Sequence, residues 1–194
     1  NSHSETELVS GIFRVNYGFD DKYLFTFTSR VDGSSKFGAN NKWAYFPSGA
    51  ISWKAHEEEF VNQLGVFDEL KLRASYGISG NQGIDPYWTL SRYGLSNYYN
   101  KGNWFTAIGP GYEVGRAGQD GIEVVWGGIS NPDLRWETTA QANVGVDMGF
   151  FDNRLNVIFD YYEKKTHDLL RERYLAPSSG YDKMWVNDGS ISNK

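Results

Sequence analysis

Aromatic rings and side-chain amides stand close together between positions 80 and 133 of this sequence of 194 residues. Flat rings can stack on the faces of sugars while neighbouring amides hydrogen-bond the hydroxyl groups. The predicted ligand-binding residues are Trp88, Tyr98, Tyr99, Trp104, Asn97, Asn100 and Asn103. The same rings could instead pack on one another and hold a long surface loop together. Residue types alone leave both interpretations open.

The sequence lacks the residue patterns that catalysis and metal binding need. It has no cysteine, which excludes disulfides, thiolate metal sites and cysteine nucleophiles. The three histidines are far apart, and Asp20-Asp21 alone falls short of the about six to eight oxygen ligands of Ca²⁺. The glycine-rich residues 77–83 lack the Lys-Ser/Thr of a phosphate-binding loop, and no serine lies in Gly-x-Ser-x-Gly. We therefore expect no enzymatic activity, no cofactor and no metal site.

A second set of residues carries charge of both signs and alternates with apolar residues along the chain. Its members are Arg14, Arg30, Asp32, Lys71, Arg73, Arg135, Glu137, Asp147 and Asp160. Alternation places these charges on the face opposite to the apolar one, as around a water-filled interior. The mixed sign argues against selection of a single ionic substrate.

The elements that position both sets are β-strands, because the apolar residues recur at every second position. The pattern predicts about six strands, near residues 13–19, 23–31, 43–53, 70–78, 135–148 and 155–161. Each has one apolar and one polar face. The fold class is therefore all-β, with antiparallel pairing.

Two short turns set the pairing of neighbouring strands. In the first two strands the apolar residues lie at odd positions. Directly opposed residues point to the same face, so the loop must have an odd number of residues, and the three residues 20–22 fit. Phe19 should then lie opposite Tyr23. The last two strands switch parity, and a turn at residues 152–153 fits because Asp and Asn tolerate positive φ. A brief helical turn within 54–69 should serve as another compact return, ended by Gly65.

The connections at the other end are long, and short turns opposite long loops are typical of a transmembrane β-barrel. Residues 80–133 are predicted to be a long extracellular loop. Residues 164–194 are predicted to be an extracellular loop that leads to a further strand. A soluble β-sandwich shows the same alternation. Strands of about ten residues and aromatics near the strand ends favour the barrel.

The overall composition narrows the remaining classes. A net charge of −5 argues against a nucleic-acid surface, which is normally basic. The sequence contains no run of about 18 apolar residues, so it does not predict a transmembrane helix. The first residues lack the layout of a signal peptide.

Three long stretches carry a family resemblance. They are RVDGSSKFGANNKWAYFPSGAISWKAHEEEF from Arg30, LKLRASYGISGNQGIDPY from Leu70, and NPDLRWETTAQANVGVDMGFFDNRLNVIFDYYEKKTHDLL from Asn131. They resemble successive barrel segments of the SusC/RagA-like TonB-linked outer-membrane proteins of Bacteroides-type bacteria. Ala44 and residues 97–128 depart from the family pattern. Pro47 lacks a ladder donor and should mark a bulge or local break in its strand.

The resemblance implies a barrel of roughly 22 strands in the cell outer membrane, in contact with its lipid. It implies an active importer of oligosaccharides, or of peptides, that works with a SusD-like surface lipoprotein and the TonB–ExbB–ExbD complex. The charged set should contact a plug domain or line the transport path. The family's plug domain is missing from this sequence, and six strands cannot close such a barrel. We therefore expect the 194 residues to be an excerpt of a longer chain.

Two other functions remain open at this stage. A secreted carbohydrate-binding β-sandwich would use the same aromatic residues and would dissolve without detergent. A passive porin, or a receptor that signals without transport, would share the barrel.

Overall fold

The computed structural model describes residues 4–90, 92–111, 128–176, 179, 181 and 183–194, and for 92–100 and 106–111 it describes the backbone. The strands are β1 (Leu8–Phe19), β2 (Tyr23–Ser34), β3 (Trp43–Lys54), β4 (Glu69–Asn81), β5 (Arg92–Asn100), β6 (Asn103–Gly111), β7 (Gly128–Ile129), β8 (Glu137–Phe150), β9 (Leu155–His167), β10 (Leu170–Tyr174), β11 (Lys183–Asn187) and β12 (Ser190–Asn193). A 3₁₀ turn (Ala55–Glu57) and helix α1 (Glu59–Asn62) lie between β3 and β4. Within these residues, no helix has the length and apolar character to cross a bilayer.

Seven strands form one antiparallel sheet in the order β1-β2-β3-β4-β8-β9-β12. The all-β, antiparallel prediction is confirmed, and the six predicted strands all belong to this sheet. Strands β10, β11 and β7 form a smaller sheet, and β5 pairs with β6 in a separate hairpin. The predicted loop 80–133 thus contains a hairpin of its own. Within 164–194, the short strand β12 pairs with β9.

The two turn predictions are confirmed in register. Phe19 lies opposite Tyr23, and residues 20–22 connect them. At the other hairpin, Phe150 lies opposite Leu155. The central residues of this second turn, Asp152 and Asn153, have φ of 55° and 59°. Positive φ at both central positions matches the right-handed twist of the flanking strands, which is why these residue types close the turn.

The return between β3 and β4 is compact, as predicted. Gly65, with φ of 59°, ends the helical turn and donates its N–H to the Asn62 carbonyl at 3.0 Å. Val61 is buried, whereas Phe60 and Leu64 on the neighbouring side are exposed. The turn therefore rests on Val61 and presents two large apolar side chains outward.

The sheet has two chemically distinct faces. One, here called the apolar face, gathers the apolar residues of every long strand by cross-strand register. It includes Phe13, Tyr17, Phe25, Ile51, Leu72, Val144 and Phe159. These side chains are all exposed in the described part of the chain. A surface of this extent marks an interaction with lipid or with another protein.

The buried core lies at the end of the sheet where the long connections meet. It consists of Phe37, Phe46, Ile84, Leu134 and Trp136. The Phe46 and Trp136 rings meet edge to face, with centroids 5.6 Å apart. One strand residue and residues from three separate connections thus share one core, here called the rim core.

Pro47 marks the point where β3 leaves β4. The β3–β4 ladder ends at Ser48–Gly77, although β3 itself continues to Trp43 in pairing with β2. The predicted local break is therefore a break in pairing with β4, and the strand stays continuous. The Phe46 ring lies just beyond this point, against Gly80.

Candidate functional site

Six of the seven predicted ligand-binding residues lie at the turn end of the β5–β6 hairpin. The backbone register pairs Tyr99 with Trp104 and Asn100 with Asn103. The turn residues Lys101 and Gly102 have φ of 48° and 84°. Local hairpin formation therefore brings aromatic and amide residues together along the backbone.

The side chains of this group are described in part. Trp104 is 55% exposed, and Asn103 is also exposed. The side chains of Asn97, Tyr98, Tyr99 and Asn100 lie outside the described residues. An exposed tryptophan beside an exposed amide has the composition of a sugar-stacking surface.

Trp88 lies elsewhere, packed against the rim core. Its ring stacks on Trp185 with centroids 4.4 Å apart and an interplanar angle of 26°. Asn131 fixes this partner by donating its Nδ2–H to the Trp185 carbonyl at 2.8 Å. For Trp88, the geometry matches the alternative in which rings hold the loops together. The sequence does not predict Trp185 as the partner of Trp88, because no periodic pattern links the two residues.

The charged set shares the second face of the sheet, here called the polar face. Register places Arg14, Arg30, Asp32, Lys71, Arg73, Glu137, Asp147 and Asp160 on it. Arg135 lies two residues before Glu137, just outside β8, and its guanidinium pairs with Asp168 at 2.7 Å. The common face was predicted from alternation alone, and the cross-strand register agrees with it.

Arg73 is the centre of an ion-pair cluster that spans three strands. Its Nε and Nη2 donate to Asp147 at 2.9 and 2.7 Å, which is the bidentate geometry of arginine with a carboxylate. Nη2 also contacts Asp160 Oδ1 at 3.0 Å. Gly145 leaves room for this contact, because a Cβ there would lie 2.8 Å from Nη2. The cluster joins β4, β8 and β9 on the polar face.

A second charged pair lies near the loop end. Arg30 Nε is 2.9 Å from Asp32 Oδ2, and Asp32 is buried. The Arg30 guanidinium also lies over the Phe46 ring, 5.4 Å from its centroid. Arg14 donates to Thr28 at 3.0 Å, while Glu137 accepts from Asn81 at 3.3 Å. Most of these charges have partners within the sheet.

Neutral polar groups occupy the polar face between the two charged groups. Thr26 donates to Asn16 at 2.9 Å, and Asn143 donates to Ser75 at 3.1 Å. Gln141 in turn donates to Asn143 at 2.8 Å. A cavity of about 400 Å³ includes Thr26, Ser48, Ser75, Gln141 and Asn143 in its lining. Amides and hydroxyls of this kind can exchange hydrogen bonds with water, sugars or peptide groups.

Two carboxylates outside the long strands have lowered pKa values. The Tyr23 hydroxyl donates to Glu58 at 2.8 Å, and this hydrogen bond is the main reason that the Glu58 pKa is below its ordinary value. At the loop end, hydrogen bonds from Arg171 and then Arg173 lower the pKa of Asp188. Both carboxylates are therefore charged at neutral pH and act as local anchors.

The described residues contain no group of three or more His, Asp or Glu side chains that could hold a metal ion. The polar clusters are built from ion pairs and amide–hydroxyl bonds. This arrangement can bind and orient a ligand by hydrogen bonding.

The sequence model of the family described as TonB dependent receptor-like, beta-barrel matches residues 4–193. The chain belongs to this family. TonB-dependent receptor P3 of Formosa agariphila is 44% identical over 191 residues, which cover 98% of this chain and 18% of that protein. TonB-dependent receptor SusC of Bacteroides thetaiotaomicron is 37% identical over 188 residues, covering 96% of this chain and 17% of that protein.

Solved structures agree with this assignment. The RagAB peptide importer in its open-open state matches 97% of this chain and 19% of its own, with a TM-score of 0.78 and 30% identity. The siderophore receptor PirA of Pseudomonas aeruginosa matches with a TM-score of 0.59 at 15% identity, which shows the fold alone. The sheet is thus part of a SusC/RagA-like outer-membrane β-barrel of the Bacteroidetes. The chain spans less than a fifth of receptor P3, SusC and the RagAB chain, and 30% of PirA.

Proposed function

We propose that this chain forms part of the wall of an outer-membrane importer for oligosaccharides, driven by TonB. In this proposal the apolar face meets lipid and the polar face lines the barrel interior. The two-faced sheet carries the proposal, because a bilayer and a watery interior are the two surroundings that such a sheet needs. The family assignment supports the same orientation.

The β-sandwich alternative is disfavoured by the fold. A sandwich buries its apolar face against a second sheet. Here that face is exposed along β1 and β9, and the family is one of barrels. A passive porin would share this fold and would differ from the importer in its energy source. An uptake experiment is therefore needed to distinguish the two functions.

The cargo proposal rests on neutral polar chemistry. Trp104 and Asn103 supply an exposed ring and amide on the β5–β6 hairpin. The amides and hydroxyls of the polar face suit sugar hydroxyls along the interior. Peptides are the second candidate, because RagAB is a peptide importer and resembles this chain at 30% identity.

The partners follow from the same proposal. A SusD-like lipoprotein would close over the outer loops and hand the cargo to the barrel. A plug domain would pack against the polar face, where the mixed charges around Arg73 offer both donors and acceptors. The TonB–ExbB–ExbD complex would supply the force to move it. The chain itself would bind, guide and hold.

Uptake by whole cells tests the proposal. Cells that express the complete receptor are given labelled oligosaccharides or peptides, with and without a protonophore that collapses the inner-membrane gradient. The importer predicts oligosaccharide accumulation that the protonophore abolishes. Uptake that persists without the gradient would identify a passive pore, and accumulation of peptides alone would overturn the cargo assignment.

A matched pair of variants tests the hairpin. Trp104→Ala should lower oligosaccharide affinity about 5- to 10-fold, since ring–ligand stacking contributes about 1–1.4 kcal/mol. Tyr174→Ala is the control, because Tyr174 is a still more exposed ring in β10, outside the hairpin. Affinity measured by calorimetry on the purified receptor should be unchanged in the control. Equal effects of both variants would reject the assigned role of the hairpin.

A further inference from the structure

The connection between β3 and β4 is tied to the apolar side of the sheet at its first end. The Glu58 carboxylate accepts hydrogen bonds from Tyr23 Oη at 2.8 Å and from Trp53 Nε1 at 3.4 Å. Tyr23 and Trp53 are cross-strand partners on the apolar face, and their rings stack with an interplanar angle of 3°. Lys22 Nζ adds a contact of 3.4 Å to the same carboxylate. Glu58 therefore reaches the side of the sheet that carries the exposed apolar residues.

The second end of the connection is tied to the same side. The Phe67 ring packs against Phe150 with centroids 5.3 Å apart. Phe150 belongs to the apolar face, because it has the parity of Met148 and Val146 and lies opposite Leu155. Residues 58–67, here called the rim segment, are thus fastened at both ends to the edge of the apolar face.

The rim segment exposes large apolar side chains between these two anchors. Phe60 and Leu64 are each 63% exposed, and Val66 is 55% exposed. Phe60 and Leu64 are four residues apart in a helical turn, so they lie on one side of it. Val61 is buried on the side that rests on the protein. Of the five large apolar residues in the segment, Val61 and Phe67 pack against the protein, and Phe60, Leu64 and Val66 remain for an external contact.

We propose that the rim segment contacts the membrane and inserts Phe60 and Leu64 into the lipid interface at the turn end of the barrel. Continuity with the apolar face supports lipid as the occupant. The two anchors place the segment where the lipid-facing surface of the sheet ends. An interfacial helical turn typically buries its apolar side about 5–10 Å into the boundary between head groups and acyl chains. This lipid contact rests on the proposed orientation of the apolar face toward lipid, and it does not depend on which cargo is transported.

The charges of the segment define the lipid further. Glu59 directly precedes Phe60, Glu57 lies just before the segment, and both carboxylates are exposed. Anionic head groups would be repelled by these carboxylates, so we expect a zwitterionic lipid such as phosphatidylethanolamine. Tyr23 and Trp53 supply the polar-tipped aromatic rings that favour the same interface.

Site-specific labelling tests the proposal in the complete receptor. The 194 residues contain no cysteine, so single labels can be placed in this section after any cysteines elsewhere are replaced. Phe60→Cys and Leu64→Cys are labelled with an environment-sensitive fluorophore in phosphatidylethanolamine-rich vesicles. Asn62→Cys is the matched control, because Asn62 is exposed on the opposite side of the same turn. Ile51→Cys, on the apolar face, is the positive control.

The quenching pattern decides the outcome. Quenchers attached to the lipid head group or the upper acyl chain should quench the labels at positions 60 and 64 as strongly as that at position 51. A water-soluble quencher should act mainly on position 62. Equal quenching by the soluble agent at positions 60, 62 and 64 would overturn the proposal. Protection of positions 60 and 64 from both quenchers would also overturn it, since a protein would then cover them.

Discussion

Replacing Gly80 with alanine puts a methyl group where the Phe46 ring now lies. An added Cβ would be 2.6 Å from Phe46 Cε1 and 2.9 Å from Cε2, and closer still to Cζ. The ring has little freedom to move away. Phe46 is 3% exposed, meets Trp136 edge to face and has the Arg30 guanidinium over its ring. Gly80→Ala is therefore an overpacking change in the rim core.

The expected cost follows from the surroundings of the ring. An extra methyl group in a filled core typically costs about 1–3 kcal/mol, because side chains must leave their preferred rotamers. We expect the upper half of this range, since the ring is buried and in contact with both Trp136 and Arg30. Gly11→Ala is the matched control, because a Cβ at Gly11 would have nothing within 4 Å. It should be neutral or slightly stabilising.

Hydrogen exchange followed by mass spectrometry is the suitable assay, because a global melting temperature of a large barrel would hide a local effect. Segments open with their own free energies, so amides near 44–48 and 78–84 should lose protection selectively. A cost of about 1–3 kcal/mol corresponds to about 5- to 140-fold faster exchange. Peptides from the turn end should exchange at unchanged rates.

A second variant separates overpacking from other effects of the added methyl group. Leucine lacks the outer ring atoms that the new methyl would strike, so Phe46→Leu should make the Gly80→Ala change cheaper. The two changes are in contact and should therefore be non-additive. If Gly80→Ala leaves exchange unchanged, or if its cost is the same with leucine at position 46, the account of the rim core is wrong.

Three further predictions concern single residues. Trp88→Ala should destabilise the rim core by about 2 kcal/mol through loss of its stacked ring. The loss of stability would be measured from proteolysis of the loops at increasing urea concentrations. Asn153→Val should destabilise the β8–β9 hairpin by about 1–2 kcal/mol, because a β-branched residue is strained at φ of 59°, whereas Asn153→Gly should not. Because the hydrogen bond from Tyr23 lowers the Glu58 pKa in the folded chain, the anchor of the rim segment is present at neutral pH. The anchor should be lost only as the pH falls through the lowered pKa of Glu58. Hydrogen exchange of the rim segment would show this loss as faster exchange at low pH. In the Glu58→Gln variant, exchange of the same segment should not show this pH dependence.

The hairpin registers could be predicted from sequence because they depend on local rules. Side chains alternate with a period of two, so the shared parity of Phe19 and Tyr23 requires an odd number of loop residues between them. Asp152 and Asn153 identify a tight turn because few residue types tolerate positive φ. The common face of Arg73 and Asp160 follows from the same counting. These features need no knowledge of distant contacts.

The rim core could not be predicted in this way. Trp88 and Trp185 are far apart in sequence, and neither lies in a segment with a regular period. Their stacking depends on how separate connections fold over the end of the sheet. The ring–amide pattern therefore grouped Trp88 with Trp104, although the first packs in the core and the second is exposed.

The two ends of the sheet are stabilised by different physical effects, and this difference constrains how cargo preference can change. At the turn end, each turn is closed by its own backbone geometry, and single pairwise contacts such as Glu58 with Tyr23 and Phe67 with Phe150 add to it. At the loop end, one shared core holds residues from three connections, so a change in Leu134 or Phe37 must be compensated in another connection. The β5–β6 hairpin is paired with itself and forms its own sheet. Substitutions there avoid that constraint, so variation in ligand preference should concentrate in residues 92–111.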